Sequence, residues 1–260
     1  MKKDINIELY SIYDNFKASK TIRCLYNFDK NLKMLILSNI LDIEQSFKHV
    51  FTINFIERYN HSIEELINDK NYSKSIMTRD ILCRVKKQLN DYELSTKEIN
   101  YYNKKYDCVP LYAYIKSLSF GLMRDLYYIS KPNDKDHICR KLTNVNISSK
   151  NLETFLEFLV KIRNICCHNE ILFSYVSESE MIPNTKYHKE FVVNNIQYGK
   201  KDFLAALISI KILSDKKQFS ILIKDIDKLI NMTCKKINIS KKNLLKYMNL
   251  PLNYKKVLCK

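Results

Sequence analysis

Glycine is almost absent from this chain, which holds only two glycines and four prolines in 260 residues. Tight turns and β-hairpins usually need glycine. The phosphate-binding loops of P-loop and dinucleotide-binding folds need several glycines close together. The sequence therefore excludes those folds. Because its apolar residues also recur at helical spacing, it predicts an all-α protein.

Paired cysteines are also missing. Of the eight cysteines, six stand singly, Cys166 and Cys167 are adjacent, and no C-x-x-C pair occurs. This pattern indicates neither a disulfide framework nor a zinc site. The start of the chain, Met1-Lys-Lys-Asp, lacks the features of a signal peptide. We therefore expect a cytoplasmic protein with reduced thiols and without a metal or other cofactor.

Long apolar runs are lacking too. The longest apolar segment extends from Phe203 to Leu213 and is interrupted by Lys211. A membrane-spanning helix needs about 20 apolar residues. We expect no membrane partner.

Positive charge, by contrast, is abundant. The formal net charge is +16, and residues 181–260 hold 17 Lys against five acidic residues, a net +12. A concentrated positive field attracts phosphates, which favours a nucleic-acid partner. A second interpretation stays open, because an AT-rich genome also raises the lysine content without any functional cause.

Helical periodicity covers most of the chain. After a first helix at 4–18, a long helical pattern extends to about Phe55, and the acids Asp29 and Glu44 interrupt its apolar face. These two acids either are solvated or paired with lysine, or make structural polar contacts. Ser148 or Ser149 is expected to cap the helix that follows it. Further elements are expected at 60–92 (one or two helices), 111–127 with a bend or close packing at Gly121, 134–145, 192–193 (a short strand), 201–214, 217–237, and from Ser240 to before Pro251.

The helix after Ser149 ends in Arg163-Asn-Ile-Cys-Cys-His168, an R-x-x-x-x-H motif. Arg163 carries a permanent charge that can stabilise an anionic phosphorane, and His168 can exchange a proton near neutral pH. This pair suits the cleavage of RNA without a metal. Asn164 lies on the same helix face as His168, whereas Arg163 lies about 140° around the axis from it. A second copy of the helix could therefore complete the site.

The motif alone is a weak signal. From the spacing alone, a histidine packed at a helix end beside a solvated arginine is the favoured explanation. Near Tyr101, a mixture of tyrosines and lysines suits base stacking beside phosphate contacts, but such tyrosines are more often ordinary surface and core residues. The residues expected to contact RNA are Tyr101, Lys104 and Lys105, together with Lys161 and Asn169, which flank the motif.

Three separated stretches resemble the Abi-like family of bacterial abortive-infection proteins. They are Leu25-Tyr-Asn-Phe-Asp-Lys-Asn-Leu32 followed by Ile43-Glu44; Val109-Pro-Leu-Tyr-Ala-Tyr followed by Ser119-Phe-Gly121 and Leu126-Tyr127; and Arg163-Asn-Ile-Cys-Cys-His-Asn169. Their order and spacing agree over roughly residues 21–175. Tyr112 stands where the family usually has Trp, and Cys167 where it usually has Ala. Both changes keep an aromatic or a small residue.

The family is similar to the HEPN superfamily of helical bundles, whose R-x-x-x-x-H motif marks metal-independent ribonucleases. The resemblance implies a HEPN-type bundle with flanking helices, formed by a single domain over residues 1–260. Residues 1–110 are its N-terminal helical part, and 111–260 carry the motif and the basic C-terminal helices. It also implies an endoribonuclease of phage defence that acts as a homodimer, with Arg163, Asn164 and His168 in catalysis. A regulatory non-coding RNA is a further implied partner.

Two other functions remain open. The protein could be a non-catalytic RNA-binding subunit of a defence ribonucleoprotein, in which case His168→Ala would spare RNA affinity. It could also be a protein-interaction bundle whose charge reflects genome composition, in which case it would show no salt-dependent RNA binding.

Overall fold

The computed structural model describes residues 18–95, 101–102, 105, 109–143, 145–168, 170–179, 181–193 and 196–259. Apart from its last residue, the helix predicted at 4–18 lies outside them. The α-helices are α1 (Ala18–Tyr59), α2 (Ile63–Leu66), α3 (Ile76–Ser95), α4 (Leu111–Ser117), α5 (Phe120–Ile129), α6 (Pro132–Leu142), α7 (Ser149–Cys167), α8 (Phe203–Leu213), α9 (Lys216–Ile237), α10 (Lys241–Tyr247) and α11 (Tyr254–Leu258). Two 3-10 helices cover Asp69–Asn71 and Lys186–Phe191, and β1 (Val192–Val193) pairs antiparallel with β2 (Ile196–Gln197). The predicted all-α class and the short strand at 192–193 are both confirmed.

Contacts between Cα atoms divide the chain into two compact units. Unit 1 comprises Met1–Asn39, Ile162–Lys211 and Asp215–Lys260, and unit 2 comprises Ile40–Lys161 and Ile212–Ser214. The boundaries fall inside α1, α7 and α8. The single-domain organisation over 1–260 stays a prediction. None of the helices in the described ranges is long and apolar enough to cross a membrane.

The first half of α1 supplies one wall of the core of unit 1. Leu25, Phe28, Leu32 and Ile36 are buried, and they recur at the spacing of one helix face, as their sequence pattern predicts. The segment that follows α7 contributes Leu172 and Phe173 to the same core. The ring of Phe173 meets that of Phe28 edge to face, at 5.9 Å between centroids.

A buried histidine organises the irregular segment before α8. His188 Nε2 donates to the Gly199 carbonyl (2.8 Å), and its Nδ1 accepts from the Thr185 amide (2.9 Å). Burial lowers the pKa of His188, so the neutral ring can fill both roles. Gly199 has a φ of +82°, and a Cβ there would lie 2.8 Å from Ile208 Cδ1. The turn therefore requires glycine.

One carboxylate connects the C-terminal helices. Asp227 of α9 accepts hydrogen bonds from Lys255 Nζ at 2.8 Å, from the Tyr254 hydroxyl at 3.0 Å and from Lys241 Nζ. These donors come from α10 and α11, so one buried acid joins three helices. Ser240 caps α10 by accepting from the Asn243 amide, which agrees with the predicted start of this helix. Helix α11 is an element that the sequence pattern did not predict.

Unit 2 has an aromatic core. Phe47 of α1 lies edge to face against Phe51, Phe120 and Tyr127, with centroids 5.9–6.4 Å apart. Such pairs contribute beyond the apolar area that they bury. The Tyr127 hydroxyl donates to the carbonyls of Lys135 and Ser149. This ring thereby connects α5 to α6 and to the start of α7.

The helical pattern predicted over 111–127 forms two helices, and the break lies at Leu118–Ser119 rather than at Gly121. Helix α4 ends at Ser117, and α5 begins at Phe120 after Ser119, whose hydroxyl accepts from the Leu122 amide. The chain bends because Ser119 caps a new helix. Gly121 is not the cause, since a Cβ there would meet Val160 Cγ1 at 3.8 Å, an ordinary contact distance. The expected cap of α7 is confirmed at Ser148, which accepts from the Asn151 amide.

Candidate functional site

The end of α7 holds the R-x-x-x-x-H motif in one helical turn and a half. Arg163 and Asn164 lie within the helix, and the His168 amide donates to the Asn164 carbonyl at 3.0 Å, which extends the helical pattern to His168. Arg163 and His168 thus keep the angular separation of about 140° that their spacing predicts. Arg163, Asn164 and His168 all belong to unit 1.

The guanidinium of Arg163 is incompletely hydrogen-bonded. Its Nη1 lies 3.4 Å from the Asn164 side-chain oxygen, a long contact. Its Nε is buried and makes no hydrogen bond to any residue that the structure describes. A buried donor without a partner costs about 1–3 kcal/mol. A change of rotamer towards an arriving anion would recover part of that cost.

His168 opens into a groove of about 610 Å³. Its side chain is exposed, and none of the described residues hydrogen-bonds to its ring. This volume falls in the usual range of small-molecule sites, about 300–1,000 Å³. The groove is lined by one face of α1 (Ile22, Leu25, Tyr26, Asp29, Lys30, Lys33, Met34 and Leu37) and by the end of α7 with the segment after it (Cys166, Cys167, His168, Ile171 and Phe173).

The walls of this groove combine apolar surface with positive charge. Tyr26, Met34 and Ile171 are 67%, 62% and 56% exposed. Lys30 is exposed between them on the α1 face. An exposed aromatic ring beside a lysine suits a nucleotide, whose base can stack while its phosphate meets the cation.

Asp29 anchors the segment that follows His168. Its Oδ1 accepts the amides of both Leu172 and Phe173 at 2.9 Å, and its Oδ2 pairs with Lys33 Nζ at 2.9 Å. The sequence left two interpretations of this acid open, pairing with lysine and a structural polar contact. Asp29 does both. The contact ties the chain just after the motif to α1 and thereby fixes one side of the groove.

The two adjacent cysteines differ in environment. Burial raises the pKa of Cys166 to about 12, so its thiol stays protonated. Cys167 is exposed, and both line the groove. The described part of the chain holds no group of three His, Cys, Asp or Glu residues that could hold a metal ion.

Three of the other residues expected to contact RNA belong to unit 2. They are Tyr101, Lys105 and Lys161. Lys105 Nζ donates to the Tyr101 hydroxyl at 2.9 Å and lies 5.3 Å from the ring centroid. Lys104 and Asn169 lie outside the described residues. An RNA-binding role for these five residues stays a prediction.

Sequence reasoning missed the α1 wall of the groove. Tyr26, Lys30 and Met34 recur at i, i+4 and i+8, so they share one helix face. That face is distinct from the buried stripe of Leu25, Phe28 and Leu32. A tyrosine and a methionine at helical spacing outside the core stripe were the available signal for an exposed binding face.

Comparison with known proteins shows the family of the chain. A family model described as Abi-like protein matches residues 7–174, a range that includes the α1 face, Asp29 and the whole motif. The chain belongs to the Abi-like protein family. Membership points to a role in abortive infection, the defence of bacteria against phage. No curated protein and no solved structure matches the chain.

Proposed function

We propose that this Abi-like protein is a metal-independent endoribonuclease that acts in phage defence. The observation that carries the proposal is the position of His168, which is exposed in a groove with an aromatic ring and a lysine, one and a half turns after Arg163. The groove can receive a nucleotide, and the imidazole is the group that can exchange a proton with it near neutral pH.

The chemistry needs only the RNA and side chains of this protein. His168 removes the proton of a 2′-hydroxyl, whose oxygen attacks the adjacent phosphorus. The bond from phosphorus to the 5′-oxygen breaks, and that oxygen takes a proton from an acid. Arg163 stabilises the phosphorane in between, and Asn164 holds a phosphate oxygen or orients the imidazole. The products are a 2′,3′-cyclic phosphate and a 5′-hydroxyl.

A second copy of the chain supplies the complementary acid in this scheme. Arg163 does not line the groove that His168 lines, and the helix separates the two side chains by about 140°. Two motifs facing one RNA strand place one imidazole on each side of the scissile phosphate and bring a second Arg163 within reach. A bound non-coding RNA that blocks the groove would keep the enzyme inactive.

The test compares wild type with His168→Ala on mixed cellular RNA in EDTA, with the chemistry of the product ends as the readout. His49→Ala is the matched control, because His49 is an exposed histidine elsewhere on α1. We expect cyclic-phosphate ends from wild type and the control, and none from His168→Ala. If the site is shared, an equal mixture of Arg163→Ala and His168→Ala recovers part of the lost cleavage. Equal cutting by all variants, or cutting only with a divalent metal, contradicts the proposal.

One observation favours the alternative of a non-catalytic RNA-binding subunit. A catalytic histidine is usually oriented by a hydrogen bond to its second nitrogen, and within the described ranges no residue supplies one to His168. If this alternative holds, His168→Ala binds RNA as tightly as wild type and neither protein cuts it.

A further inference from the structure

A second groove lies on the neighbouring face of α1. Lys20, Arg23, Asn27 and Asn31 line it from α1, and Lys236 lines it from α9. Its volume is about 240 Å³, and Phe28 and Thr233 are buried beneath it. All of these residues belong to unit 1. The groove is therefore defined by two helices of a single packed body.

The cations of this groove form no ion pair with the described residues. They are Lys20, Arg23 and Lys236, and all three are exposed. Among the described residues that line the groove there is no acid. Lys33, on the other side of α1, differs because Asp29 neutralises it. Three unneutralised cations in one concavity create a positive potential that attracts an anion.

The remaining polar groups fit a phosphate. The side-chain amides of Asn27 and Asn31 are four residues apart, so they project from one face of α1, and both are exposed in the groove. Amide and guanidinium N–H groups donate to phosphate oxygens, and lysine adds point charges. A single carboxylate-free concavity with these donors matches the backbone of a nucleic acid better than it matches a base.

We propose that this groove binds the phosphate backbone of the RNA on which the protein acts, outside the site at His168. The inference rests on the proposed function in that RNA is the ligand. Asn27 and Tyr26 are adjacent in α1 and thus about 100° apart around its axis. The two grooves occupy neighbouring faces, about one helix diameter or 10 Å apart. One strand that crosses α1 enters both, so the phosphate groove holds the RNA in register with the base that stacks beside His168.

The experiment measures binding rather than cleavage. Lys20→Gln, Arg23→Gln and Lys236→Gln are combined in a His168→Ala background, so the RNA stays intact. The matched control combines Arg79→Gln, Lys86→Gln and Lys87→Gln, which removes one Arg and two Lys that are exposed on α3. The probe is a labelled single-stranded oligouridylate, titrated at several salt concentrations. Equal thermal midpoints of the two triple variants exclude unfolding as the cause of any difference.

We expect the groove variant to lose salt dependence. Three phosphate contacts to a single strand contribute about 2 to the slope of log affinity against log salt. Over a fourfold rise in salt, the affinity of the His168→Ala parent therefore weakens about 20-fold more than that of the groove variant. The control keeps the slope of the parent. A DNA strand of equal length shows the same difference, because the contacts are to phosphate.

Other outcomes overturn the inference. They are equal slopes in the groove variant and the control, an effect confined to RNA, which would assign the contact to the 2′-hydroxyl, and no RNA binding by any variant. The two proposals fail separately. Absence of cleavage in wild type removes the nuclease and leaves the phosphate groove standing, whereas equal slopes with intact cleavage remove only the groove.

Discussion

Asp29 and Glu44 occupy equivalent places in the sequence pattern of α1 and differ in the structure. Each is a buried acid on the apolar side of the helix, and each pairs with the lysine four residues later, at 2.9 and 2.8 Å. Asp29 also accepts two backbone amides. The second oxygen of Glu44 is buried and has no hydrogen-bond partner in the described residues. Both acids have an ion pair, so the ion pair does not separate an acid that stabilises the fold from one that does not. The hydrogen bonds from backbone amides make that distinction.

Removal of the Asp29 carboxylate should have the largest effect. Asp29→Ala leaves the amides of Leu172 and Phe173 buried without an acceptor, at about 1–3 kcal/mol each. We expect the free energy of unfolding to fall by about 3 kcal/mol, measured by urea denaturation. Cleavage should fall as well, because the segment after His168 loses its anchor.

Asp42→Ala is the control for this change. Asp42 is an exposed acid on the same helix, and we expect it to alter stability by less than about 0.5 kcal/mol. A similar effect from both substitutions would show that the amide contacts of Asp29 contribute nothing.

A third buried acid sharpens the comparison through pH. Burial raises the pKa of Asp227, but hydrogen bonds from Lys241, Lys255 and Tyr254 outweigh it and lower the pKa to about 2. Because the folded pKa lies below the unfolded value, the stabilisation is complete above about pH 4 and is lost as the pH falls through 2. We expect Asp227→Asn to be about 2 kcal/mol less stable than wild type near pH 5.

The measurement is the free energy of unfolding of the two proteins between pH 2 and pH 5. The difference should shrink steadily towards pH 2. A difference that stays constant with pH would mean that the Asp227 carboxylate contributes through its shape rather than through its charge.

The smallest effects should come from the paired amide substitutions. Asp29→Asn keeps the oxygen that accepts both amides and loses the charge that faces Lys33, so we expect a cost of about 1 kcal/mol. Glu44→Gln loses the ion pair to Lys48 but also relieves a buried charge and replaces the unpaired oxygen with a donor. We expect a change within about 0.5 kcal/mol in either direction. The measurement is the denaturant midpoint of each variant. Equal losses of stability would mean that the two acids do not differ in their contribution to the fold.

The sequence predicts the helices better than it predicts their partners. The spacing of Leu25, Phe28 and Leu32 predicts their shared burial, and Ser148 predicts the start of α7, because both signals act within a few residues. The break between α4 and α5 escapes the apolar pattern, which continues through it. A serine can cap a helix or lie inside one, so the presence of Ser119 alone does not predict the break.

For the candidate site, the local part was predictable and the groove was not. The spacing of Arg163 and His168 fixes their divergence around the helix. The contact of Asp29 with the segment after His168 joins residues 143 positions apart, and no local pattern encodes it. The resemblance to the Abi-like family includes both Asp29 and His168 in separate stretches. The structure adds a physical link between the first of those stretches and Leu172 and Phe173, which follow the third.

The Asp29 contact also constrains how this sequence can diverge. Its partners are backbone amides, which every residue except proline supplies. Positions 172 and 173 can therefore exchange one apolar side chain for another without any compensating change at 29, while position 29 must keep the one oxygen that accepts both amides. Two segments can thus keep the same contact in all related sequences while no pair of positions in them co-varies.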